Sequence, residues 1–157
     1  MNNKIYIHYG ANEFIPEVFA PIKNMSFFSK PYGGLWASDI NAKYGWINWM
    51  TENDYLGRKN YMENWFKFKL TDVANVLTIT NVSQLNSLPH REDADILVGN
   101  KPFACWQLLD FEKIAEKYDA IEVIISSDWK LYQELYGWDC DSILILNKGV
   151  IVELQNK

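Results

Sequence analysis

Two carboxylates, Asp139 and Asp141, stand directly before an apolar run, Ile143 to Leu146. The run is short, β-branched at two positions and closed by Asn147-Lys148-Gly149, which reads as a buried strand. Desolvating a carboxylate costs several kcal/mol unless it is paired or hydrogen-bonded. An acid at the mouth of a core strand is therefore a candidate for electrostatic chemistry, facing a positive charge that develops during reaction. His8, in Ile5-Tyr6-Ile7-His8, is the second titratable candidate. Gly33-Gly34 is the third segment: it reads either as a backbone that lets a ligand come close or as a tight turn. Taken singly, each has a plainer reading. Asp141 could anchor a loop by accepting backbone N–H bonds, and His8 could be a hydrogen-bonded core residue.

Other chemistries find little support. Cys105 and Cys140 are far apart and the chain has only two histidines, so no zinc pattern exists and no metal is expected. Cys105 has no histidine in its segment. His90, in Pro89-His90-Arg91-Glu92, reads as an exposed loop residue, so nothing favours a Cys–His nucleophile. Neither G-x-G-x-x-G nor G-x-x-x-x-G-K-[ST] occurs.

The elements that must position these residues alternate along the chain. Ile5 to His8 reads as a first strand, with Tyr6 and His8 on one face. Prolines 16, 21 and 31 then rule out a long helix. Gly33-Gly34 releases a strand over Leu35 to Ala37. Ser38 or Asp39 is a candidate cap for a helix in which Ile40, Tyr44 and Ile47 share a face and Gly45 is a weak point. Trp65 to Leu70 alternates as a half-exposed strand, and Val76 to Ile79 is another. Asn81 or Ser83 starts a short helix that ends before Pro89, and residues 89 to 102 read as a polar loop. Asp110 caps a helix striped by Phe111, Ile114, Ala115 and Tyr118. A strand over Ala120 to Ile125 follows. Ser127 or Asp128 then caps a helix lined by Trp129, Tyr132 and Tyr136 and stopped by Gly137. Strands at 142 to 147 and Val150 to Leu154 close the chain.

With 157 residues, no repeats and no low-complexity linker, the chain reads as one α+β domain spanning residues 1–157. Charge is uneven. Residues 1 to 70 carry eight basic and six acidic side chains, and residues 71 to 157 carry seven and fourteen. That imbalance argues against nonspecific nucleic-acid binding by the whole chain, and leaves room for a phosphate-bearing ligand near the first half. The seven Trp, nine Tyr and eight Phe suffice for core packing, and they can also build a stacking cleft. Met-Asn-Asn-Lys-Ile-Tyr lacks the apolar core of a signal peptide, and no apolar stretch approaches a membrane span. A soluble cytoplasmic protein with no membrane association is the expectation.

The order strand-His, Gly-Gly-strand-Ser with aromatics, and acid-plus-strand resembles the ADP-ribosyltransferase fold. The resemblance is to its His–Tyr–Glu branch, that of diphtheria toxin and the poly(ADP-ribose) polymerases. Tyr6-Ile7-His8-Tyr9-Gly10-Ala11 is similar to that branch's His-Gly-Ser/Thr strand, with Tyr9 inserted. Gly34-Leu35-Trp36-Ala37-Ser38-Asp39 is similar to its Gly-Ile/Leu-Tyr-Phe-Ala-Asp/Ser motif, one residue shorter, with Tyr44 and Trp46 following. Asp141-Ser142-Ile143-Leu144-Ile145 matches its acid-led strand, with Asp for Glu. These are three short segments, not the whole chain. The segments Lys30 to Ser38 and Tyr136 to Ile143 also resemble uncharacterised bacterial and phage proteins.

The resemblance implies split mixed and antiparallel β-sheets with flanking helices. It implies NAD as substrate, with ADP-ribose passing to a protein or nucleic-acid acceptor and nicotinamide released, as in a bacterial or phage effector or toxin. Asp141 is the implied acid, with Asp139 as the other candidate. His8 would fix a ribose hydroxyl, and backbone groups of Tyr9 and Gly10 would hold the carboxamide. Ser38 belongs to the NAD-binding set, and Tyr44 or Trp46 would stack on the nicotinamide ring. The alternative class is a non-catalytic interaction protein whose aromatic cleft grips a peptide or protein.

Overall fold

The computed structural model describes residues 4–25, 30–55, 57–91, 108–135 and 137–155. Seven strands form one mixed sheet: β1 (Tyr6–Tyr9), β2 (Leu35–Asp39), β3 (Trp65–Leu70), β4 (Val76–Ile79), β5 (Ala120–Val123), β6 (Ser142–Ile145) and β7 (Ile151–Leu154). Their order across the sheet is β4-β5-β6-β2-β1-β3-β7. Every neighbouring pair is antiparallel except β4 and β5. The α-helices are short: α1 (Trp46–Glu52), α2 (Arg58–Glu63), α3 (Phe111–Ala115) and α4 (Lys130–Glu134). This is an α+β domain. Among the described residues no helix is long and apolar enough to cross a membrane.

The central strands are apolar because both of their faces are covered. On β6, Leu144 packs on one face with Ile121, Val123, Leu131, Leu135 and Trp138. Ile143 and Ile145 pack on the other with Tyr6, Phe66 and Phe68. Glu122 lies within this second face and is buried, which the strand's apolar reading did not single out. It survives there because Lys4 Nζ donates to it at 2.7 Å and the Tyr6 hydroxyl at 3.3 Å. On β3 the alternation holds, with Phe66, Phe68 and Leu70 buried between half-exposed Trp65, Lys67 and Lys69.

Several expected elements shift. Strand β2 runs on through Ser38 and Asp39 because Asp39 pairs with Tyr6 and Ser38 with Ile7. Neither residue is the N-cap of α1, although the Ser38 hydroxyl accepts from its first N–H, Trp46 N, at 3.0 Å. Helix α1 begins later, with Gly45 as its N-cap, so Gly45 lies outside the helix interior. Helix α4 starts after Trp129 and is capped as expected by Asp128, whose carboxylate accepts from Lys130 N at 3.2 Å. Its buried residue is Leu131, while Trp129 and Tyr132 face solvent, and Tyr136 lies outside the described residues. Asn81 does cap a 3-10 helix, Val82–Ser87, and Asp110 caps α3, accepting from Gln84 N at 3.3 Å and Lys113 N at 3.1 Å respectively. His90 forms a bridge with Leu109 and is half-buried, not exposed. Residues 92–107, with Cys105 and most of the expected loop, lie outside the described residues.

Gly33 and Gly34 make the turn into β2 with φ of 84° and 70°. A Cβ on Gly34 would stand 2.6 Å from the Ile145 carbonyl oxygen, and its N–H bonds Ala20 O at 2.9 Å. The pair is therefore a close-packed turn, whose left-handed backbone glycine adopts without steric cost. Gly34→Ala is expected to cost about 1–3 kcal/mol from backbone conformation alone, with the clash adding to it. A urea unfolding curve whose midpoint matches the wild type would refute this account of the turn.

Candidate functional site

The ladder between β1 and β2 is the shortest in the sheet, pairing only Tyr6 with Asp39 and Ile7 with Ser38. Beyond Ile7 the two strands part, and a cleft of about 250 Å³ opens between them. Ile7, His8 and Tyr9 line one side and Trp36, Ala37 and Ser38 the other. Lys30, Trp46, Tyr61 and the turn Gly137, Asp139, Cys140 and Ser142 complete it.

His8 is held across the parting. Its Nδ1 lies 2.7 Å from Trp36 O, which only a protonated Nδ1 can satisfy by donation. Burial lowers its pKa below the usual 6.5, opposed by that hydrogen bond. The neutral ring therefore carries its proton on Nδ1 and presents Nε2 as an acceptor. Nε2 has no partner among the described residues.

The aromatic wall comes from α1 and α2. Trp46 stacks on Trp49 at 4.9 Å and 9°. Tyr55 packs against both indoles, and Tyr61 packs against Tyr55 at 5.9 Å. Trp46 is oriented through the buried Ser38 hydroxyl, which accepts from Trp46 N at 3.0 Å and donates to Asp141 O at 3.0 Å.

Asp141 and Asp139 separate sharply. Asp141 is 3% exposed, and its carboxylate does not line the cleft. It accepts from Ser126 N at 2.8 Å, the Ser126 hydroxyl at 2.7 Å and Tyr44 N at 3.2 Å. Its own N–H donates to Tyr44 O at 2.8 Å. This carboxylate is a loop anchor, the plainer of its two readings. Asp139 does line the cleft, with Lys30 Nζ at 3.9 Å from its Oδ2 and no hydrogen bond to it among the described residues. Lys30 in turn sits 5.0 Å above the Trp36 ring.

Of the NAD-contacting residues that the resemblance implies, His8, Tyr9, Ser38 and Trp46 meet in the cleft. Gly10 and Tyr44 do not. The Gly10 N–H donates to Asn64 O at 2.7 Å, and the Tyr61 ring covers the side where a Cβ would project. The Tyr44 hydroxyl donates to Glu52 at 2.7 Å; desolvation and this carboxylate push the phenol up to about 12. The Cys140 thiol lines the cleft, but burial raises its pKa to about 12 and holds it protonated, so it is a poor nucleophile. Lys30 and Tyr61 were not singled out in the sequence. Lys30 opens the segment Lys30 to Ser38 but nothing in it marks the lysine for a role, Tyr61 has no motif around it, and each reaches the cleft only through tertiary packing. Among the described residues, no group of three or more His, Cys, Asp or Glu side chains could hold a metal ion.

Comparison with known proteins finds no matching family model, no matching curated protein and no matching solved structure.

Two predictions follow from this geometry. Asp141→Asn leaves the Tyr44 N–H and a new amide donor facing each other. It should cost about 1.5–3 kcal/mol in stability, as for a hydrogen bond to a charged group. Half-exposed Asp139→Asn should stay within about 0.5 kcal/mol. Equal unfolding midpoints for the two variants would contradict the anchor assignment. For His8, the unfolded chain takes up a proton near 6.5, before the folded one does. Stability is therefore full above pH 6.5 and falls as pH drops toward the lowered folded value. In His8→Gln that part of the pH dependence should disappear from unfolding curves measured across the acid range.

Proposed function

We propose that the cleft binds NAD and that the protein transfers ADP-ribose from it to a macromolecular acceptor, releasing nicotinamide. What supports this reading is the convergence on one cleft of the first-strand histidine, the second-strand serine with its aromatic helix, and an acid from the turn before β6. The finer sheet description, two halves split at the site, rests on the two-residue ladder between β1 and β2.

The fit is to half of the dinucleotide. Sites for drug-sized ligands run from about 300 to 1,000 Å³, and a cleft of about 250 Å³ suits nicotinamide with its ribose. Trp46 and Tyr61 offer ring faces to nicotinamide. His8 Nε2 accepts from a ribose hydroxyl. Asp139 takes the role of the acid, because the Asp141 carboxylate is spent on Ser126 and Tyr44.

In the reaction the bond between ribose C1′ and the nicotinamide nitrogen breaks, and its electron pair leaves with nicotinamide. Positive charge grows on C1′ and the ring oxygen, and a nearby carboxylate stabilises it. The acceptor's nucleophile, or water in its absence, bonds C1′ and loses its proton to solvent. The decisive experiment is NAD hydrolysis followed by nicotinamide release, alongside a melting scan with NAD. Ligand at one hundred times its dissociation constant should stabilise the fold by about 2.7 kcal/mol. Asp139→Asn should lower the rate roughly a hundred- to thousand-fold while still binding NAD. The reading fails if millimolar NAD gives neither a thermal shift nor nicotinamide.

One observation favours a second reading, a non-catalytic interaction protein. The acid expected to face the reacting centre is consumed inside the protein, while the Trp46–Trp49–Tyr55–Tyr61 row provides a broad aromatic surface. The absence of both a thermal shift and nicotinamide release with NAD would favour this reading over catalysis.

A further inference from the structure

Lys30 lines the cleft and takes no part in the chemistry above. Its ammonium rests 5.0 Å over the Trp36 ring, and its stem lies across Gly137, with Cε 3.1 Å from where a Cβ would stand. Asp139 Oδ2, at 3.9 Å, is within ion-pair reach but beyond hydrogen-bond length. The ammonium carries three donors, and none finds an acceptor among the described residues. Its side chain keeps only 37% exposure. Burial lowers its pKa, with Asp139 acting in the opposite sense. Across the cleft His8 is neutral, so it adds no positive charge of its own.

We propose that Lys30 binds the anionic group of the cleft's ligand, and that this ligand is a sugar phosphate of mononucleotide size. Lys30 can only donate, so its complement is an acceptor, and lysine takes phosphate as a point charge. Asp139 can only accept when ionised, so its complement is a donor, which a sugar hydroxyl provides. The two side chains are 3.9 Å apart, so the ligand must carry its anion and its hydroxyl close together, as a pentose 5-phosphate does. A cleft of about 250 Å³ has room for one nucleotide and not for two. The sugar and its phosphate are the substrate class; this deepens the NAD reading and rests on it, because the phosphate is then the one attached to the nicotinamide ribose.

The test uses two matched pairs of probes, ribose with ribose 5-phosphate and nicotinamide riboside with nicotinamide mononucleotide. Binding of each is measured by calorimetry to the wild type and to Lys30→Met. Methionine keeps an unbranched stem over Gly137 and Trp36, and a melting curve checks that the variant is folded. The phosphorylated member of each pair should bind the wild type on the order of tenfold more tightly. That preference should vanish in Lys30→Met, with the unphosphorylated members binding both proteins alike. A phosphate preference that survives Lys30→Met overturns the inference, as does equal binding of both members to the wild type or no binding of any probe. Lys30-dependent binding of ribose 5-phosphate, with no binding of either nicotinamide compound, keeps the anion anchor and removes the nicotinamide reading. Nicotinamide compounds that bind without phosphate preference do the reverse.

Discussion

The buried residue Asp141 ties together three parts of the chain that meet at the start of β6. Its oxygens take the Ser126 backbone and hydroxyl protons and the Tyr44 N–H. Its own backbone takes the Ser38 hydroxyl proton and gives a proton to Tyr44 O. A desolvated charge demands such donors, and once they are supplied it fixes the segments that supply them. The start of β6, the end of β2, the loop into α1 and the turn at 125–127 are thereby locked in one arrangement. Trp46, at the first position of α1, inherits its place from the same junction through Ser38.

The cleft depends on a second constraint, the early end of the β1–β2 ladder. Two neighbouring strands that part leave backbone groups without ladder partners, and buried carbonyls need replacements. The Trp36 carbonyl finds one in the His8 ring. That hydrogen bond fixes the tautomer of His8, so structural necessity and the exposure of Nε2 are one event. Opposite it, Lys30 and Asp139 offset each other's charge, so the cleft carries no strong net field. Selectivity then has to come from local placement of a donor and an acceptor, not from long-range attraction.

Much of the fold was legible because its signals are local. The alternation of Phe66 and Phe68 with Lys67 and Lys69, the apolar run of β6 and the Asp110 cap need no distant partner to be read. The errors lie where a distant partner outcompetes a local preference. Ser38 and Asp39 are good caps in isolation, but pairing with Ile7 and Tyr6 keeps them in β2. Trp129 and Tyr132 have the spacing of a buried stripe, yet Leu131 takes the core position. The site follows the same division. His8 stood out on a short strand, whereas the role of Asp141 is decided by Ser126 and Tyr44, 15 and 97 residues away. Lys30 and Tyr61 reach the cleft by packing that no local pattern encodes.

Asp139 and Asp141 show what separates scaffolding from a site in this molecule. Both are carboxylates before one strand, both lie on the turn that reaches the cleft, and sequence position cannot rank them. The distinction is in unspent hydrogen-bonding capacity. Asp141 has used its oxygens on protein donors, so a ligand would have to displace bonds that hold the fold. Asp139, Lys30 and His8 Nε2 keep theirs at the cleft surface, where a ligand can complete them without any such loss. These three groups are partly exposed to solvent, so a ligand that pairs with them displaces water and not protein hydrogen bonds. On this criterion the junction at Asp141 builds the cleft, and the half-exposed groups around it are the ones equipped to act.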